Sequence, residues 1–122
     1  MEDWEIDFYW LKVQHYVQNS LDKDALPDLQ AVLFLLGVQE SGVVKDTYTK
    51  EEKEDLMHVA VCSLLEREGY FEFTGNDQDG WPHFRQIRGM DVEGVKNQEI
   101  LLKQKVIQYF IENHFIDETK PN

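Results

Sequence analysis

The side chains able to do chemistry are concentrated between residues 49 and 88. Asp55, His58 and Cys62 follow one another at i, i+3 and i+7, which places all three along one edge of a helix. Imidazole nitrogen and thiolate are both zinc ligands. An imidazole beside a thiol is also the arrangement of a Cys–His nucleophile. Farther along, Asn76-Asp77-Gln78-Asp79-Gly80 offers two carboxylates in one turn, with Trp81 and His83 directly after it.

Each constellation meets a physical objection. A tetrahedral metal site built on Asp55, His58 and Cys62 needs a fourth ligand, and no second Cys or His pair at ligand spacing supplies one. No metal or other cofactor is therefore expected, and those three residues stand as the alternative. As a nucleophile, Cys62 sits in a helix interior beside Val61 and Leu64 in an acidic chain, and both circumstances raise a thiol pKa. In a calcium loop with Gly80 as its central glycine, Asp77 and Asp79 take positions three and five. Gly75 and Gln86 then fall where essential carboxylates belong, so the segment reads as a tight turn of Asn, Asp and Gly. Trp81-Pro82-His83-Phe84 is read as a contact patch, since an aromatic on a short hairpin anchors either a core or a partner. The candidate site is thus His58, Cys62, Asp77, Asp79, Trp81 and His83.

The elements that must position these groups follow from pattern and capping. Residues 3–20 carry a helical period with Asp3 as cap. Pro27 and Asp28 open a second helix, apolar on all sides and weakening near Gly37. Residues 39–48 form a loop. Thr49 with Glu52 makes a capping box for a third helix that ends near Glu68 at Gly69. Its apolar half comprises Leu56, Met57, Ala60, Val61, Leu64 and Leu65. Aromatic strands at 70–73 and 81–84 flank the turn at 75–80, the signature of a β-hairpin, and Pro82 belongs at a strand beginning or exposed edge. A link at 89–94 leads to a last helix over 97–115 and a polar tail over 117–122. The expected fold is mainly α (α+β by strict count): four helices, with one hairpin inserted between the third and fourth. At 122 residues, a single domain spanning 1–122 is expected.

The net charge of −12, from 24 acids against 12 Lys and Arg, disfavours nucleic acid and anionic membranes and suits a basic protein partner. The helix-then-hairpin order is also that of a winged-helix DNA binder. However, the ten-residue loop is too long for a recognition turn, and Lys50-Glu51-Glu52-Lys53-Glu54-Asp55 would repel phosphate. An acidic mimic of nucleic acid would need its acids in phosphate-like rows, which the sequence lacks. No segment has the ~20 apolar residues of a membrane helix. One cysteine and an acidic start without a signal-peptide pattern point to the cytoplasm.

The first helix has two apolar faces. Ile6, Tyr9, Trp10, Val13, Tyr16 and Val17 dock it on a core, while Trp4, Phe8, Leu11 and His15 line the opposite side. A second copy of the chain is expected to cover that face, giving a homodimer. The last helix is also broadly apolar, through Leu102, Val106, Ile107, Tyr109, Phe110 and Ile111. The expected function is an interaction or scaffold module acting through this dimer and the aromatic hairpin patch. A metal-dependent or His-assisted enzyme, with its site between the third helix and the hairpin, is the alternative.

Overall fold

A computed structural model describes residues 1–22, 24–89 and 93–118. The order is α1 (Asp3–Leu21), α2 (Leu29–Ser41), α3 (Lys50–Glu66), β1 (Phe71–Asn76), β2 (Pro82–Gln86) and α4 (Val95–Glu112). The fold is mainly α, with one antiparallel hairpin between the third and fourth helices. The chain forms two compact units, one from Met1–Leu29 with Val92–Asn122 and one from Gln30–Asp91. Residues 90–92 of the expected link and 119–122 of the expected tail lie outside the described residues.

In the first unit α1 buries Ile6, Tyr9, Trp10, Val13 and Val17, and α4 buries Val106, Ile107 and Phe110. Asp3 is not the cap of α1. It is the first helical residue, and the Glu5 carboxylate accepts the backbone N–H of Glu2 at 3.2 Å. Helix α4 ends three residues before the expected position. His114 turns left-handed at φ 61°, and Phe115 and Ile116 fold back so that their N–H groups reach Phe110 O at 2.9 and 3.3 Å. Phe115 then stacks on Tyr16, ring centroids 5.3 Å apart, which accounts for two apolar residues that resemble continued helix.

In the second unit α2 runs through Gly37 without weakening. A Cβ at Gly37 would stand 1.9 Å from Leu56 O, so glycine is what allows α2 and α3 to approach this closely. The helix begins at Leu29, just after Pro27 and Asp28, and its cover is uneven: Val32, Leu33 and Leu36 are buried, Phe34 and Leu35 only half-buried. The capping box of α3 is present. Thr49 Oγ1 accepts the Glu52 N–H at 3.1 Å and Glu52 Oε1 accepts the Thr49 N–H at 2.9 Å. Lys45 pairs with the same carboxylate, and these bonds hold the Glu52 pKa below its ordinary value.

Helix α3 stops at Glu66, and Gly69 takes a left-handed φ of 80° that turns the chain into β1. The hairpin pairs Phe71 with Gln86, Glu72 with Arg85 and Phe73 with Phe84, then shifts register so that Gly75 faces His83. Glu72 and Arg85 form a cross-strand ion pair on one face, while Phe73 and Phe84 pack edge-to-face on the other at 5.7 Å. Pro82 begins β2, as its missing donor requires. The buried side of α3 is wider than its periodicity implies. Val59 and Cys62 are buried while Met57 and Val61 are half-buried, because the hairpin packs along the Val59 side.

Candidate functional site

Helix α3 and the hairpin enclose a cleft of about 370 Å³. Asp55, His58 and Val59 line it from α3, and Asp77, Trp81, Pro82, His83 and Phe84 from the hairpin. A helical repeat of three to four residues brings Asp55, His58 and Val59 to one face of α3. The register shift beside Gly75 leaves no side chain across from His83, whose imidazole instead reaches into the turn.

Asp77 organises that turn. Its Oδ1 accepts the backbone N–H groups of Asp79 at 2.9 Å and Trp81 at 3.0 Å, and its Oδ2 stands 2.9 Å from His83 Nε2. The Asp77 N–H in turn donates to Trp81 O at 2.9 Å. The His83 imidazole, then the two backbone donors, hold the Asp77 carboxyl below its ordinary pKa. Asp77 Oδ1 is thus bonded to the turn amides and Oδ2 to His83 on β2, which accounts for an Asp at this turn position.

His58, an exposed residue of the lining, is in edge contact with the Phe71 ring at 6.4 Å between centroids. Its Nε2 lies 3.4 Å from Cys62 Sγ, a hydrogen bond whose donor depends on the imidazole tautomer. Cys62 is fully buried, and desolvation pushes its thiol up to about 11. A thiol of that pKa carries almost no thiolate near neutrality, so the pair lacks the activation that nucleophilic cysteines require.

Of the six residues expected from sequence, His58, Asp77, Trp81 and His83 share the cleft, and Cys62 joins it only through His58. The Asp79 carboxylate does not line it; that residue contributes its backbone N–H to the turn. Asp55, His58 and Cys62 do not converge as a metal site. Among the described residues, no three His, Cys, Asp or Glu side chains are grouped to hold an ion. Pro82 and Phe84 of the expected contact patch line the cleft together with Val59, which was not expected in the site. The four-residue spacing of Asp55 and Val59 was visible in the sequence, but only the position of the hairpin gives it meaning. No protein family, curated protein or solved structure matches the chain. No described helix is long and apolar enough to cross a membrane.

Proposed function

We propose that the chain is a protein-interaction module whose working surface is the cleft between α3 and the hairpin. The supporting observation is that Trp81, Pro82 and Phe84 meet His58 and His83 in one open cleft, while Asp77 fixes the turn carrying them. An aromatic wall held on a hydrogen-bonded turn is preorganised, so little ordering entropy opposes a partner that docks there. The same geometry gives an enzyme little to work with. The thiol is buried, and Asp77 is engaged in the turn. A reducing, cytoplasmic setting suits a chain with one buried cysteine.

A second surface belongs to the same proposal. On α1, Trp4 is 53% exposed and Leu11 45%, with Phe8 and His15 between and beyond them on the same face. A second copy of the chain covering this stripe would make the module a homodimer.

Site-directed photo-crosslinking in cells tests the cleft. A photoreactive amino acid at Trp81 or Phe84 is expected to trap a discrete protein adduct, and one at the exposed Val95 is not. Equal adducts from all three positions would remove the cleft as the working surface.

A further inference from the structure

We infer that the cleft receives a short basic segment of a partner protein, extended along α3, with an apolar side chain seated against Phe84. This rests on the interaction reading above and adds the chemistry of the partner. A second cleft, of about 330 Å³, adjoins the first and shares Val59, Pro82 and Phe84 with it. It adds Phe73, which is 45% exposed and packs edge-on against Phe84, together with Ser63, Glu40 and Glu66. We take the two as one groove with a shared apolar centre, since Val59, Pro82 and Phe84 line both.

Its charge is one-sided. The acids along it are Asp55 and Asp77 in one cleft and Glu40 and Glu66 in the other, and among the described residues no Lys or Arg lines either. Asp77 is engaged in the turn, and Glu40 accepts from the Ser63 hydroxyl. Asp55 and Glu66 are both exposed, and their carboxylates make no ion pair or hydrogen bond among the described residues. They stand at opposite ends of the groove, eleven positions apart on α3. At ~1.5 Å per helical residue that is roughly 16 Å, the reach of about five residues of extended chain at ~3.3 Å each. A segment with Lys or Arg about five residues apart and an apolar side chain between them matches both the charge and the spacing.

The test is fluorescence anisotropy with a labelled peptide carrying two arginines five positions apart and a leucine between them. Its twin carries glutamates in place of the arginines. The arginine peptide is expected to bind saturably and the glutamate twin not at all. Asp55→Lys with Glu66→Lys weakens binding about tenfold, the scale of two exposed ion pairs reversed. Asp55→Asn with Glu66→Gln weakens it less, giving a graded series in variants of near-native shape. Asp7→Lys with Glu99→Lys changes the net charge equally on the other unit and is expected to leave binding intact. Equal losses in the two charge-reversed pairs would reduce the effect to attraction by the whole charge of −12 and overturn the inference. Crosslinks at Trp81 that persist without peptide binding would remove the basic segment and leave the interaction reading standing.

Discussion

Asp77 Oδ2 and His83 Nε2 stand 2.9 Å apart, across a turn whose backbone N–H groups the other carboxylate oxygen already holds. One side chain thus fixes both the turn and the imidazole that lines the cleft. Removing it in Asp77→Ala is expected to release the Asp79 and Trp81 amides to faster hydrogen exchange and to shift Trp81 emission to the red. Unchanged exchange at both amides would show that the turn holds itself without Asp77.

The same carboxylate sets an acid limit on the turn. Its folded pKa lies below the ordinary 3.8, so its contribution is fully present above that value and is lost as pH falls through the lowered one. Asp77→Asn keeps an oxygen for the two N–H donors and has nothing to protonate. NMR shifts of the Asp79 and Trp81 amides are expected to titrate below pH ~4 in the native chain and to stay flat in Asp77→Asn. Matching titrations would assign the effect to another acid.

Burial holds the Cys62 thiol at about 11. At pH 8 that leaves roughly one molecule in a thousand as thiolate. Native Cys62 is therefore expected to react with iodoacetamide at least about a hundredfold more slowly than the same residue in urea. Rapid labelling of the folded protein would restore the nucleophile that the geometry argues against.

Tyr9 is 2% exposed, and its hydroxyl has no hydrogen-bond partner among the described residues. A buried, unpaired hydroxyl costs about 1–3 kcal/mol of desolvation. Tyr9→Phe removes the polar atom and keeps the ring, so stability is expected to be unchanged or to rise by about 1 kcal/mol in urea unfolding. A clear loss would mean that the hydroxyl bonds a water or a residue outside the described set.

How far the sequence revealed this structure depends on the range of the interaction concerned. The Thr49–Glu52 capping box, the left-handed stop at Gly69 and the Asp77 turn are local, each set within a few residues, and all were legible. The end of α4 was not, because Phe115 and Ile116 continue an apolar pattern while in fact folding back toward Phe110 and Tyr16. Val59 was hidden for a related reason: its burial comes from strands that follow it in the chain, not from the period of α3. His58, Trp81 and His83 were recognisable as reactive groups, but their common cleft is a tertiary fact.

Gly37 shows the same division as a measurable quantity. By propensity alone, Ala in place of Gly within a helix stabilises by about 1 kcal/mol. Here the added methyl would stand 1.9 Å from Leu56 O, backbone that no rotamer change can move. Separating α2 from α3 to admit it also loosens the buried Leu36 and Leu56. Overpacking of this kind costs about 1–3 kcal/mol, enough to outweigh the propensity. Gly37→Ala is therefore expected to lower the urea midpoint, whereas Gly→Ala at an uncrowded helical site would raise it. A midpoint that rises would mean that the two helices separate at little cost, and that the approach of α2 to Leu56 is not what holds the second unit together.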